Sequence, residues 1–347
     1  MTNEYLTELY NFSLPKELIA QQPTQNRDNS KLFVYYKDKD KVEHFMFKDI
    51  VDILDNNYFI VLNNTKVEPR RVNFKKPTGG VVPLLITHFE DGKIKALPYK
   101  KINTTKLFTQ DGLCVEIVDR DKNTNELVIK GNFTKEYIQN MISNYGLPPL
   151  PPYIKRKPND KLFLTDYERY QTVYAKVTGA IAAPTAGLHF TENVLNKLQQ
   201  KGIKILYITL NIGLSTFKPV KTKLITEHKM LPEHAIVTED TAKEINNLLR
   251  SGKKLLCVGT TTVRTLEYLM TKYNKIVPYN DNVDLYIYPG YNFKITQAIL
   301  TNFHLPKSTN LILLSAFVGR EKLFKLYKIA VEKNYKFYSY GDAMLII

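Results

Sequence analysis

The sequence has no tryptophan and only two cysteines among its 347 residues. Cys114 and Cys257 lie far apart and each stands beside apolar residues, which argues against a disulfide framework or a zinc site and indicates a reducing compartment. No apolar run approaches the length of a membrane span, and the N-terminus lacks the basic-then-apolar pattern of a signal peptide. These absences predict a cytoplasmic protein without a metal or a membrane anchor.

Negative charge is also scarce. Lysine and arginine total 49 against 34 aspartate and glutamate residues, so the formal net charge is +15. Such an excess favours a polyanionic partner, with nucleic acid as the first candidate. The same lysines could instead form a solubilising surface, and charge alone leaves both interpretations open. The clusters expected to contact phosphates are Lys75 and Lys76, then Lys155, Arg156 and Lys157, and finally Lys221 and Lys223.

Familiar catalytic signatures are missing as well. There is no G-x-G-x-x-G, no G-x-x-x-x-G-K, no Ser-His-Asp motif and no pair of carboxylates at a recognisable catalytic spacing. His228 and His234 flank KMLPE, but their spacing fits no common zinc motif. These motifs therefore assign no catalytic class to the chain.

The domain organisation follows from the strand and helix patterns. Between residues 66 and 133, short apolar segments alternate with turn signals, which is typical of a small β-barrel or sandwich. A helix at 134–146 and the proline-rich connector LPPLPPYI (147–154) follow. Later strands at 203–210, 254–260 and 284–288 alternate with helices, which indicates an α/β layer. We therefore predict an α/β main domain of residues 1–65 and 151–347, with an all-β domain of residues 66–150 inserted into it.

Candidate site residues are expected at strand ends, where open α/β sheets bind ligands. GAIAAPTAGLHF (179–190) ends in His189, and TNFHLPKST (301–309) contains His304. A histidine between apolar residues is usually a core residue, so a structural and a catalytic interpretation both stay open. VGTTTVRTLE (258–267) is a strand-to-helix turn, in which Thr260 could cap the helix and Arg264 could pair with Glu267. SYGDAM (339–344) predicts a buried C-terminal strand. We expect these segments and YPGY (288–291) to converge on one cleft.

Taken together, these segments resemble the S-adenosylmethionine:tRNA ribosyltransferase-isomerases of queuosine biosynthesis. The match covers nearly the whole chain in the family's order. The matching stretches are LPKELIAQQP (14–23), RDNSKL (27–32), NNTKV (63–67), LPPLPPYI (147–154), YQTVYA (170–175), GAIAAPTAGLHFT (179–191), VGTTTVRTLE (258–267), YIYPGY (286–291), TNFHLPKST (301–309) and FYSYGDAM (337–344).

The resemblance implies an α/β main domain interrupted by a β-barrel, and an unusual reaction. The ribosyl part of S-adenosylmethionine passes to the 7-aminomethyl-7-deazaguanine base at the tRNA wobble position, giving epoxyqueuosine, adenine and methionine. S-adenosylmethionine is then a co-substrate, and we expect no cofactor, no metal and a monomer. Removal of a C5′ proton, departure of adenine and attack by the amine each need an acid or a base. The implied catalytic candidates are His189, His304, Glu267 and Asp342; the substrate-binding candidates are Thr185, Gly187, Thr260, Arg264, Tyr288, Tyr291, Phe303 and Lys307.

Four positions depart from the family's pattern. Asn211 and Leu231 stand where histidines are usual, Ser215 replaces a glycine, and Pro83 replaces a glutamate. Asparagine cannot take up a proton at neutral pH, so a proton-transfer role at position 211 would be lost. Two alternatives therefore stay open: a non-catalytic tRNA-binding relative, and an enzyme that acts on another adenosyl or nucleotide substrate.

Overall fold

The computed structural model describes residues 4–122, 124–157, 160–213 and 219–347. The described helices and strands mix α and β structure throughout, and none of these helices is long and apolar enough to cross a membrane. The helices are α1 (Ile50–Ile53), α2 (Lys135–Tyr145), α3 (Leu162–Arg169), α4 (Glu192–Gln200), α5 (Glu239–Arg250), α6 (Thr260–Tyr273), α7 (Thr309–Val318) and α8 (Arg320–Glu332). The strands are β1 (Lys31–Tyr36), β2 (Lys41–Met46), β3 (Tyr58–Asn63), β4 (Thr65–Val67), β5 (Arg71–Lys75), β6 (Val81–Glu90), β7 (Lys93–Pro98), β8 (Lys106–Phe108), β9 (Cys114–Arg120), β10 (Leu127–Gly131), β11 (Val177–Ala180), β12 (Lys204–Leu210), β13 (Glu233–Val237), β14 (Lys254–Val258), β15 (Tyr279–Val283), β16 (Thr296–Asn302) and β17 (Ala343–Ile346).

The chain divides into two compact units. Unit 1 comprises the described residues of Met1–Lys66 and Gln171–Ile347, and unit 2 comprises those of Val67–Tyr170. Unit 1 contains a nine-stranded sheet in the order β15-β13-β12-β3-β14-β16-β17-β1-β2, and unit 2 contains a closed six-stranded barrel. The predicted fold class, an α/β main domain with an inserted barrel, is confirmed.

Unit 2 extends twenty residues beyond the predicted limit of 150. The proline-rich segment packs into this unit, since Leu150 and Ile154 are buried there. Beyond it, Arg156 forms a buried two-point ion pair with Asp166, and the Tyr167 hydroxyl donates to the Gly146 carbonyl. The ion pair folds 151–170 on itself, while the Tyr167 bond and the Arg71 guanidinium, 5.0 Å from the centre of the Phe163 ring, join the segment to the rest of unit 2. Proline spacing alone could not predict these contacts.

In unit 1, the strands β12, β3, β14 and β16 run parallel. Their carboxyl ends therefore meet at one edge of the sheet, hereafter the carboxyl edge. Strands β17 and β13 run antiparallel to their neighbours β16 and β12, so their first residues lie at the same edge. Strand β1 is parallel to β17, which places Ser30, just before it, at that edge too.

One face of this sheet packs against α4. Leu256, Val258 and Leu300 from the central strands form one buried cluster with Phe190 and Leu198. Because side chains alternate along a strand, Asn302 follows Leu300 onto this face, while Thr301 points to the opposite face. Strand direction and alternation thus determine which side chains can meet at the carboxyl edge.

One predicted strand is wrong. Residues 284–288 lie outside the sheet, and the strand that pairs with β13 is the preceding segment, β15. The carbonyl of Leu285 instead accepts a hydrogen bond from Arg264 Nε. The apolar side chains of this segment still pack inward, Leu285 against the cluster of Leu210, Ala235 and Val283, without forming a sheet ladder.

Candidate active site at the carboxyl edge

The centre of the carboxyl edge is the turn from β14 to α6. Gly259 has φ of 87°, which an L side chain rarely adopts, and its N–H donates to the Leu300 carbonyl at 2.8 Å. This turn releases the chain from the sheet directly into α6. The Thr260 hydroxyl donates to Asn310 Oδ1 at 2.9 Å and so links α6 to the start of α7.

The segment Thr185–His189 forms a 3₁₀ turn beside this point. Gly187 is required there because a Cβ would clash with the Tyr174 hydroxyl and would lie 2.9 Å from Thr172 Cγ2. The space above this glycine is therefore filled by the protein's own side chains. The absence of a side chain at Gly187 therefore serves packing within the protein. Thr185 is the partly exposed residue of the turn.

His189 is 4% exposed and is bonded through both ring nitrogens. Nδ1 lies 2.7 Å from Ser30 Oγ, and Nε2 lies 3.1 Å from Asn302 Nδ2. Its ring stacks on Phe47, with centroids 5.2 Å apart. Ser30 precedes β1 and Asn302 ends β16, so two strand ends fix this imidazole at the carboxyl edge.

His304 lies two residues beyond Asn302 but is held from the other face of the sheet. Its Nε2 bonds Thr301 Oγ1 at 2.8 Å, and its N–H donates to the Tyr327 hydroxyl at 3.0 Å. Burial lowers the pKa of His304 to about 3, so the ring is neutral at physiological pH. His189 and His304 are thus far apart in the sequence but are held by two neighbouring residues of β16, Asn302 and Thr301, whose side chains point to opposite faces of the sheet. Their convergence on one cleft stays a prediction.

Glu267 is fully buried and saturated with hydrogen bonds. Its carboxylate accepts from the N–H groups of Lys294, Ile295 and Thr296, from the Thr296 hydroxyl at 2.7 Å, and from the Tyr291 hydroxyl at 3.1 Å. These donors lie at or before the start of β16, and the first residue of that strand, Thr296, is about 20 Å from Asn302 at the usual rise per residue. Glu267 and Tyr291 therefore anchor the chain where it enters β16. The sequence had led us to expect them beside the histidines, and they are not there.

Arg264 does not pair with Glu267. Its Nη1 instead bonds Glu233 Oε2 at 2.6 Å in a buried ion pair. Glu233 begins β13, and its Oε1 accepts from the Gly213 N–H at 2.9 Å. Sequence reasoning missed Glu233 because the partner lies 31 positions away. The pair stands at the carboxyl edge, since β13 starts there.

Asp342 is buried before β17. Its two carboxylate oxygens accept from the N–H groups of Lys31 and Lys336, both at 2.7 Å. Burial raises the pKa of this carboxyl group, and the two amide donors counteract that rise. Because Lys31 follows Ser30, Asp342 helps to fix the residue that holds His189.

Three further residues predicted to contact the substrate differ in their exposure and in the groups they contact. Phe303 is fully buried among Phe33, Tyr327 and Phe337, which makes it a core residue. Tyr288 is partly exposed and packs edge-on against Tyr5, with centroids 6.2 Å apart. Lys307 pairs through Nζ with the Glu8 carboxylate.

Five buried side-chain polar atoms near the carboxyl edge have no hydrogen-bond partner in the described part of the chain, and further such atoms, among them Arg71 Nε and Asn73 Oδ1, lie in unit 2. Native interiors pair most such atoms, so the five at the carboxyl edge are candidates for bonding a polar ligand. Tyr174 and Thr172 line the 3₁₀ turn, and Thr309 begins α7. The atoms are Thr172 Oγ1, Tyr174 OH, Arg264 Nη2, Asn302 Oδ1 and Thr309 Oγ1. Within the same described residues, no group of three or more histidine, cysteine, aspartate or glutamate side chains could hold a metal ion.

The predicted phosphate contacts divide into exposed lysines and one buried arginine. Arg156 binds both oxygens of Asp166, at 2.7 and 2.9 Å, with side-chain exposures of only 1% and 0%. It therefore serves as a structural ion pair, which corrects its assignment to phosphate. Lys76 is partly buried, and the exposed candidates are Lys75, Lys155, Lys157, Lys221 and Lys223.

The departures from the family's pattern fall in different environments. Asn211 Oδ1 accepts from the Thr65 hydroxyl at 2.9 Å at the carboxyl edge. Leu231 is 59% exposed. Pro83 is buried in β6 of unit 2 opposite Asn73, and Ser215 lies outside the described residues.

The chain is thus an α/β protein with an inserted barrel and a candidate polar site at the carboxyl edge. A model of the queuosine biosynthesis protein family matches residues 7–346. The S-adenosylmethionine:tRNA ribosyltransferase-isomerase of Treponema denticola is 41% identical over 99% of this chain and 100% of its own length. The proteins of that name from Thermodesulfovibrio yellowstonii and Thermoanaerobacter sp. are 42% and 43% identical over 98% or more of both chains.

A solved structure gives the same result. The crystal structure of S-adenosylmethionine tRNA ribosyltransferase from Thermotoga maritima aligns with a TM-score of 0.56 and 29% identity, covering 98% of this chain and all of the other. The chain belongs to the queuosine biosynthesis protein family.

Proposed function

We propose that this chain is an S-adenosylmethionine:tRNA ribosyltransferase-isomerase. It transfers and isomerises the ribosyl part of S-adenosylmethionine onto the 7-aminomethyl-7-deazaguanine wobble base of tRNA. The product is epoxyqueuosine in tRNA, and adenine and methionine are released. The observation that carries this proposal is 41–43% identity along essentially the whole chain to relatives of that name.

The proposed base is His189. The sulfonium acidifies the C5′ protons, and the reaction begins when a base removes one of them. A neutral imidazole suits this step, and such a group contributes roughly 10²–10⁴-fold in rate. The place of His189 at the carboxyl edge, beside the unpaired Oδ1 of Asn302, supports this choice over His304, Glu267 and Asp342, whose contacts are those of structural groups.

Arg264 is the proposed partner of the methionine carboxylate. Its guanidinium is 3% exposed and keeps Nη2 unpaired in the described structure while Glu233 holds Nη1. A buried guanidinium with one open donor edge suits a carboxylate. Lys307, the other candidate, would first have to leave Glu8.

The proposed setting is the cytoplasm, where tRNA is modified, and the proposed active form is a monomer. S-adenosylmethionine serves as co-substrate, and the proposal assigns no step to a metal. The exposed lysines named above are the proposed contacts with tRNA phosphates. Turnover that a chelator leaves unchanged would fit this proposal.

Release of adenine from S-adenosylmethionine tests the function directly. We expect release only when tRNA carrying the 7-aminomethyl-7-deazaguanine base is present, and none with tRNA that carries guanine at that position. Binding of tRNA without adenine release would indicate a non-catalytic relative. Adenine release at the same rate with and without tRNA would indicate that the enzyme uses another acceptor.

A further inference from the structure

The hydrogen bonds around His189 identify its tautomer. Asn302 Nδ2 can only donate, so His189 Nε2 accepts from it at 3.1 Å through its lone pair. The matching tautomer carries its proton on Nδ1, which then donates to Ser30 Oγ at 2.7 Å, while the Ser30 hydroxyl donates to the Arg27 carbonyl at 3.3 Å. In this tautomer the basic nitrogen faces the side chain of Asn302.

Asn302 is bonded at one end only. It is 2% exposed, yet its Oδ1 has no hydrogen-bond partner among the described residues. Asn63 ends the parallel strand β3 and shows the contrast. Its Nδ2 donates to the Leu210 carbonyl, and its Oδ1 accepts from the Thr65 and Leu210 N–H groups. The amide of Asn63 is locked, whereas nothing bonded to Oδ1 opposes rotation of the Asn302 amide.

From this asymmetry we propose that Asn302 is a positioning residue that serves both protonation states of His189. Its amide N–H directs the lone pair of the neutral ring. Rotation of the amide withdraws this N–H and frees the Nε2 lone pair to take the substrate proton; Oδ1 then accepts from the new Nε2–H and stabilises the imidazolium. Ser30 holds Nδ1 throughout. This inference rests on the proposed function, because it gives Asn302 a role through His189.

Charged groups on the neighbouring elements have partners of their own. Arg27 Nη1 donates to the Leu188 carbonyl, and Asp28 accepts from the Thr191 hydroxyl. Asp49 accepts from the Met46 N–H, and Asp342 accepts from Lys31 and Lys336 as described above. Lys48 is exposed. Replacement of Asn302 by aspartate would thus place a new carboxylate directly against Nε2.

The test compares Asn302→Asp and Asn302→Leu by measuring kcat against pH and thermal unfolding. The added carboxylate raises the pKa of the imidazole, so the acidic limb of the Asn302→Asp profile should move up by about one pH unit or more. In Asn302→Leu, kcat per folded molecule should fall about 10–100-fold, the factor that one hydrogen bond to a charged group supplies. The KM for S-adenosylmethionine should change little.

Thr301→Val is the matched control, since it removes the hydroxyl that holds His304 from the opposite face. This variant should lose stability and keep both the acidic limb and kcat. A second control is Asn302→Asp in the His189→Gln background, where the shift of the acidic limb should vanish. If Asn302→Asp does not fold, Ser30→Ala removes the acceptor of Nδ1–H and should lower kcat about 10–100-fold with unchanged KM.

The outcomes separate this inference from the proposed function. A wild-type chain without tRNA-dependent adenine release would overturn both. Normal wild-type turnover with an unmoved acidic limb in Asn302→Asp would overturn the inference alone. A shift of the acidic limb of the kcat–pH profile in Thr301→Val would indicate that His304 is the titrating base. That result would also overturn the inference.

Discussion

The two ends of β16 hold buried polar groups in different ways. At the first end, around Thr296, the Glu267 carboxylate accepts five hydrogen bonds and both of its oxygens are used. At the last end, Asn302 leaves Oδ1 without a partner beside His189. Burial is equally complete at both ends, so burial alone does not identify the functional end. The difference in hydrogen bonding does.

This comparison shows how stability and function separate within one strand. A saturated carboxylate fixes the chain, since every donor it loses leaves a buried group unpaired. An amide with one open end can exchange partners during a reaction. The carboxyl edge of the sheet keeps such open groups, as expected for the edge where open α/β sheets bind ligands.

The largest expected effect is that of His189→Gln. Glutamine can keep one hydrogen bond but cannot carry a proton between atoms, so turnover per folded molecule should fall about 10²–10⁴-fold. Thermal stability and binding of S-adenosylmethionine and tRNA should stay near normal. His304→Gln is the control and should keep turnover. Near-full turnover in His189→Gln would show that this histidine is structural. The last end of β16 would then not be the functional end.

The opposite end of β16 should respond in stability. Glu267→Gln replaces a buried acceptor of five hydrogen bonds with an amide that meets donors on both sides, which should cost about 3 kcal/mol of unfolding free energy. Turnover of the folded fraction should stay intact. Tyr291→Phe removes one of the five bonds and should cost about 1 kcal/mol. Urea unfolding and adenine release, measured on the same samples, test this; a normally stable but inactive Glu267→Gln would contradict it.

A smaller effect concerns pH. His304 has a folded-state pKa lowered to about 3, against roughly 6.5 in the unfolded chain. Below pH 6.5 the unfolded chain binds a proton that the folded one does not, so stability falls as the pH drops from about 6.5 toward 3. In His304→Gln this dependence should be flatter. Unfolding curves at several pH values measure it, and identical slopes in both proteins would refute it.

The smallest effect tests the basic surface of unit 2. Paired replacement of Lys155 and Lys157 by alanine should weaken tRNA binding and reduce the slope of log affinity against log salt by ~0.7–0.9 for each lost contact. Arg156→Ala should leave that slope unchanged and lower stability, because the Arg156 guanidinium is buried in an ion pair with Asp166. A tRNA affinity that does not change with salt concentration would count against these contacts.

Local patterns in the sequence predicted the elements well. Thr134 caps α2, as its type and spacing indicate, by accepting from the Tyr137 N–H. The apolar run at 254–258 forms β14, and the segment after Asp342 forms the buried strand β17. These predictions succeed because caps and strand patterns depend on residues a few positions apart. The prediction for 284–288 failed because its apolar residues, such as Leu285, pack against the core without strand pairing.

Residue roles were harder to predict than elements. Motif matching selected Glu267, Asp342 and Phe303 together with His189, but the first two are bonded to backbone groups and the third lies in an aromatic core. Ser30 and Asn302 lie in the matched stretches 27–32 and 301–309 but were not selected, and Glu233 was missed, because none of the three carries a catalytic signature of its own. Their signals were the matched stretches and the positions at strand ends.

The sequence by itself determined the family, the α/β class with its inserted barrel, and the strand ends from which a site could be built. Only the tertiary structure decided which of those ends act together. His189 meets Ser30 across 159 positions and Asn302 across 113, while Arg264 meets Glu233 and not its helical neighbour Glu267. The physical reason is that strand order and direction choose these partners, and a hydrogen bond forms only where the folded sheet brings donor and acceptor within about 3 Å.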